Sequence, residues 1–116
     1  MSVRTVGIAR APAGLSPAEF NARVQGVADT LLALPIASSA ITKHELLVPN
    51  HDLDAKLQGL GVGAAAGGII VITHYASQEK LLEFVADAAV QKIIAEAKAQ
   101  GDADSFLFTV DTVTKK

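Results

Sequence analysis

The sequence of 116 residues predicts an α+β fold built on a four-stranded antiparallel sheet with its helices on one face. Three observations carry that prediction. Gly67-Gly68 gives way to the β-branched run Ile69 to Tyr75 and then to Ser77-Gln-Glu-Lys, a strand, a turn and a helix start in succession. Strand-like and helical patterns alternate in the order βαββαβ. Half of the residues are hydrophobic, enough for a core and too many for disorder.

Val3 to Ala9 reads as the first strand, with Arg4, Val6, Ile8 and Arg10 on one face and the small residues Val3, Thr5, Gly7 and Ala9 on the other. Ala11-Pro-Ala-Gly14 breaks it. Ser16-Pro17-Ala18-Glu19 is a helix start, with serine at the N-cap, proline at the first helical position and glutamate three residues on. Phe20, Val24, Val27, Ala28 and Leu31 follow at helical spacing, with Glu19, Arg23 and Asp29 off the stripe. The helix should end by Leu34, before Pro35.

Ile41 to Val48 reads as the second strand, Leu53 to Leu60 as a short helix, and Gly59 to Gly68 as a glycine- and alanine-rich loop flanking a pocket mouth. The third strand is Ile69 to Tyr75. The second long helix opens at Ser77 and breaks near Asp87-Ala-Ala89, where its apolar stripe drifts, then resumes through Val90, Ile93, Ile94 and Ala97. Ser105 to Val113 is the fourth strand. The order favours a ferredoxin-like split βαβ arrangement with a helical insertion between the second and third strands.

One domain of residues 1–116 accommodates all of this. A net charge of -2 argues against nucleic acid, which needs a basic surface. With no cysteine there is no disulfide, thiolate metal site or cysteine nucleophile. Arg4 and Arg10 interrupt any apolar run near the start, unlike a signal peptide, and no window has the ~18 apolar residues of a membrane span. A cytoplasmic protein is the expectation, and no partner membrane.

Such a sheet leaves one face uncovered, yet the third strand is apolar on both sides: Ile70 and Ile72 on one, Ile69 and Val71 on the other. A half-solvated antiparallel sheet alternates apolar and polar instead. The chain has no second layer to spare, so self-association of sheet against sheet, a homodimer, is expected.

The stretch Ile70 to Asp87, a strand followed by Ser-Gln-Glu-Lys-Leu-Leu-Glu-Phe-Val, and the ending Ser105-Phe-Leu-Phe-Thr-Val-Asp-Thr-Val-Thr-Lys resemble the dimeric α+β barrel superfamily, in particular small EthD-like and stress-responsive barrel proteins. The resemblance implies a homodimer whose sheets close into a barrel, with a pocket between sheet and helices. Its relatives include cofactor-free monooxygenases, polyketide cyclases, decarboxylase-like enzymes and proteins with no settled activity, and fold alone does not choose among them. A plant cyclase of the superfamily uses a tyrosine and a histidine on the second helix and a histidine on the first strand. The matching positions here hold Phe84, Val90 and Thr5, so that machinery is absent.

His44 and His74 are the candidate catalytic pair. A ladder symmetrical about residue 59 sets Leu46 against Ile72, Val48 against Ile70 and His44 against His74, leaving two imidazoles beside an apolar face to act as acid and base. The competing reading has both as strand-end residues that reach solvent. Tyr75, on the other face from His74, either orients a ligand oxygen or covers the sheet rim. Phe84, Ile72 and Phe108 are expected to line the pocket. Arg4, with Arg10 and Arg23, offers a charge for an anion, against surface solvation or an ion pair with Glu19 or Asp111.

His51, Asp52 and Asp54 are too few and too close for a metal site, and Asn50 or Asp52 as a helix cap explains them. Gly59-Leu-Gly61-Val-Gly63 precedes a strand, the wrong context for a phosphate loop. Glu79, Glu83 and Asp87 read as a solvated helix face. No cofactor is expected. Two functions compete: a cofactor-independent enzyme acting on a small apolar, oxygenated aromatic or polyketide-like molecule, with His74 as acid or base and His44 supporting it, or a non-catalytic, stress-related or ligand-binding homodimer.

Overall fold

A computed structural model describes residues 3–61, 68–99, 106–111 and 113–116. Its elements are β1 (Val3–Arg10), α1 (Pro17–Leu32), α2 (Pro35–Ala40), β2 (Ile41–Leu47), α3 (His51–Gly59), β3 (Gly68–Tyr75), α4 (Gln78–Ala86), α5 (Ala88–Ala99) and β4 (Phe106–Val110). The strands form one sheet in the order β2-β3-β1-β4, every neighbouring pair antiparallel. This is the ferredoxin-like α+β architecture expected from the element order. Most of the glycine- and alanine-rich connection, 62–67, lies outside the described residues, as do Ser105 and Thr112 of the expected fourth strand, which ends at Val110 rather than Val113.

The helix starts are set by short polar side chains. Ser16 Oγ accepts from Glu19 N at 3.2 Å, Asn50 Oδ1 from Leu53 N at 3.1 Å and Ser77 Oγ from Lys80 N at 3.1 Å. The expected break in the second long helix is real and has a cause. Asp87 leaves helical geometry (φ -64, ψ 130), and its Oδ1 accepts from Ala89 N at 2.9 Å and Val90 N at 3.1 Å, ending α4 and starting α5. The extra helix α2 was not expected. Leu34 stays extended and Pro35 takes the first helical position, so the proline that ends α1 also begins a new turn.

The helices cover the side of the sheet that carries Thr5 and Ala9 of β1 with Ile69, Thr73 and Tyr75 of β3, all buried. Two clusters hold the layers together. Tyr75 packs with Ala37, Ala40, Leu81, Phe84 and Val90, the Tyr75 and Phe84 ring centroids lying 5.8 Å apart at 58°. Ala9, Phe20 and Ile69 form the second, flanked by Leu15, Val24, Leu46 and Val71. The other side of the sheet is uncovered and apolar: Ile70 is 38% exposed, Phe108 44% and Leu47 47%. The shortest dimension of the body is 19 Å, one sheet and one layer of helices.

The β2–β3 register differs from the symmetrical one. Residues on the β2 side pair one position off: His44 with Thr73, Glu45 with Ile72, Leu46 with Val71 and Leu47 with Ile70. The connection, with α3 at its start, is not symmetrical, and at the far end of β2 a bulge between Ile41 and Lys43 shifts the register by one further residue. Thr42 fastens the bulge by donating from Oγ1 to the His74 carbonyl at 3.3 Å. A one-residue slip exchanges the faces of a strand. His44 and Leu46 therefore look toward the helices, and Lys43 and Glu45 toward the open face.

Candidate functional site

Small side chains on the helix-facing side of β1 leave space that α1 and α5 do not fill. A cavity of about 410 Å³ lies there. Its floor is a single cross-strand row, Leu46, Val71, Gly7 and Leu107, one residue from each strand. Its roof is the α1 stripe of Phe20, Val24, Val27, Ala28 and Leu31 together with Ile94 and Ala97 of α5. Gly7 interrupts a strand where a side chain would project into the cavity, a usual sign that something approaches the backbone closely.

The next row across the sheet is polar: His44, Thr73, Thr5 and Thr109. His44 lines the cavity wall, and its Nδ1 lies 2.9 Å from Thr73 Oγ1, so Nε2 is the ring nitrogen left for an occupant. Burial pushes the His44 pKa below its ordinary 6.5, which keeps the imidazole neutral at neutral pH. Behind it Tyr75, only 4% exposed, has a raised pKa: burial is the larger cause, partly offset by the Thr5 and Thr73 hydroxyls that face the phenol. That facing falls short of bonding geometry at Thr5, whose buried Oγ1 completes no hydrogen bond. Two cations, Arg23 of α1 and Lys98 of α5, complete the polar part of the wall.

Of the residues expected at a site, the structure brings His44 and Arg23 to this cavity. His74 is on the opposite face of the sheet, in a row with Lys43 and Arg4, its Nε2 3.8 Å from Glu45 Oε1. The expected facing of His44 and His74 is thus corrected: the asymmetrical connection sets the ladder one residue off, and Lys43 stands opposite His74. Ile72 and Phe108 pair with Val6 on the open face, and Arg4 joins them there, so none of the three lines the cavity. Phe84 and Tyr75 are packed into the α2–α4 cluster, away from the cavity lining.

Lys98 went unrecognised as a wall residue, and Arg23, offered as a charge for an anion, was placed off the apolar stripe. Arg23 is three positions from Phe20 and four from Val27, the signal that it shares their side of α1. His51, Asp52 and Asp54 are the first turn of α3, as the cap reading expects. Among the described residues no group of three or more histidines and carboxylates could hold a metal ion, and no helix is long and apolar enough to cross a membrane.

No family model matches the sequence, and no curated protein does. Solved structures do. SnoaB, a cofactor-independent oxygenase from Streptomyces nogalater, aligns with a TM-score of 0.56 at 15% identity, over 99% of this chain and 98% of its own. An antibiotic biosynthesis monooxygenase aligns at 0.61 and 11% identity, over 97% and 99%. A dimeric ferredoxin-like protein of unknown function from Thermobifida fusca aligns at 0.63 and 12% identity, over 97% and 92%. The fold is thus shared, along the whole chain, with ferredoxin-like proteins of the antibiotic biosynthesis monooxygenase type. At these identities the likeness is one of fold.

Proposed function

We propose that this chain is a cytoplasmic homodimer of the dimeric α+β barrel type that binds a small, apolar, oxygenated metabolite, aromatic or polyketide-like, in the cavity between sheet and helices. The observation that carries the reading is the cavity itself. Its volume lies within the usual range of ligand sites, its lining is mostly aliphatic, and one neutral imidazole stands in its wall. His44 is the residue that exchanges a proton or a hydrogen bond with the ligand oxygen, a role first expected of His74. His74, Arg4, Ile72 and Phe108 belong to the face that a second copy would cover. Tyr75 and Phe84 stand behind the site as its packing and orienting support.

The activity proposed is cofactor-independent, of oxygenase, cyclase or lyase type, and SnoaB, described as a cofactor-independent oxygenase, shares the fold. EthD-like kinship rests on the sequence resemblance. A second reading, ligand binding or a stress-related role without turnover, is favoured by one observation: among the described lining residues no carboxylate or second histidine accompanies His44.

Mass spectrometry of small molecules released on denaturing the purified protein identifies the ligand class. Oxygen uptake with polycyclic phenols and no added cofactor then separates the two readings. Turnover lost in His44→Ala supports the enzyme. A bound metabolite without turnover supports the carrier. No ligand, together with dimer dissociation constants unchanged by cavity-filling substitutions, would leave the cavity without a function.

A further inference from the structure

The buried polar groups behind the cavity can be ordered by counting protons. Thr73 Oγ1 is 2.9 Å from His44 Nδ1. A hydroxyl has one proton to give and lone pairs to accept with, and a neutral imidazole has one donor nitrogen and one acceptor nitrogen. The bond can run in two directions. If His44 Nδ1–H donates to Thr73, the Thr73 hydroxyl proton is left without an acceptor at a residue 5% exposed. If Thr73 donates to His44 Nδ1, that proton is matched. The last donor is His44 Nε2–H, which opens on the cavity. An orphaned buried donor costs more than spare lone pairs on an acceptor.

We infer that the Thr73 hydroxyl donates to His44 Nδ1 and holds His44 as its Nε2–H tautomer, so that the cavity recognises a ligand by an acceptor oxygen, a carbonyl or an enolate or phenolate. The inference rests on the proposed cavity reading and deepens it. It makes Thr73 a positioning residue and His44 a hydrogen-bond donor to the bound molecule. The flat floor over Gly7 and Val71 takes the apolar body.

Long-range proton–nitrogen NMR of the full chain labelled with 15N-histidine, above pH 7, reads the tautomer directly. His44→Gln assigns the signals among the three histidines. A single tautomer is expected, with a pyrrole-type Nε2 and a pyridine-type Nδ1. Thr73→Val should turn it into a mixture, and Thr73→Ser should restore it. A proton on Nδ1 in the native chain, or a tautomer indifferent to Thr73→Val in a folded variant, would overturn the tautomer assignment.

The ligand half is tested with 2-acetylnaphthalene and its isosteric hydrocarbon 2-isopropenylnaphthalene. The ketone should bind about 5- to 10-fold more tightly, the worth of one hydrogen bond, and that preference should vanish in Thr73→Val. Equal binding of the two would overturn the acceptor assignment and leave the cavity reading standing. Failure of both to perturb His44 or Val71 would overturn the cavity reading, while the tautomer still decides the direction of the Thr73–His44 bond.

Discussion

His44 meets Thr73 across the β2–β3 ladder, Nδ1 to Oγ1 at 2.9 Å, and so shares no face with His74, its neighbour on β3 by only one residue. The two histidines are separated by the thickness of the sheet. One faces an apolar cavity, the other a row of charged side chains beside Glu45.

Burial of His44 gives stability a pH dependence of known sign. Its folded pKa lies below the unfolded value of 6.5, so as pH falls below 6.5 the unfolded chain takes a proton that the folded chain refuses. The contribution is harmless above 6.5 and destabilises progressively below it. Urea midpoints measured across this range should fall with pH more steeply in the native chain than in His44→Gln. Parallel curves would show that His44 is not desolvated.

Gly7→Val fills the cavity floor with a β-branched side chain in the middle of β1, where strand propensity favours it. Ligand binding should be lost, whereas the denaturation midpoint should hold or rise. Isothermal titration with the naphthyl ketone checks this, and retained affinity would place the ligand elsewhere.

Phe84→Ala should have the opposite signature. Phe84 is buried against Tyr75 and lies outside the cavity lining, so truncation costs about 3–5 kcal/mol of stability, the range for large aromatic deletions. Affinity measured on the fraction that stays folded should change little, apart from any loosening of Tyr75.

Ile70→Glu places a charge at the centre of the uncovered face, on a residue whose removal empties no core. Sedimentation at micromolar concentration should show the native chain as a dimer and the variant as a monomer. A native monomer, or a variant still dimeric, would assign the apolar face to something other than a second copy.

Asp87→Ala removes acceptors from two backbone N–H groups at the start of α5, next to the fully buried Val90. About 1 kcal/mol should be lost, and Asp87→Asn should recover most of it, as seen by thermal melts.

The fold was legible because it depends on repeated signals. Ser16 and Ser77 each announce a helix start within a residue, and the period-2 pattern of β1 names its small buried face. The site was less legible because it depends on phase. His44 and His74 change partners with a single residue of slack in the connection between β2 and β3, and nothing in the alternation of Ile41-Thr-Lys-His-Glu-Leu-Leu47 marks which register is taken. Phe84 is equally apolar whether it lines a cavity or fills a core. Arg23 looks like solvent-facing charge until the cavity shows which side of α1 it occupies.

A body 19 Å thick has little interior to call its own. If a second copy supplies the missing layer, as proposed, folding and association are one equilibrium governed by mass action, and no single melting temperature belongs to the chain. The midpoint should climb with protein concentration, and dilution alone should act as a denaturant.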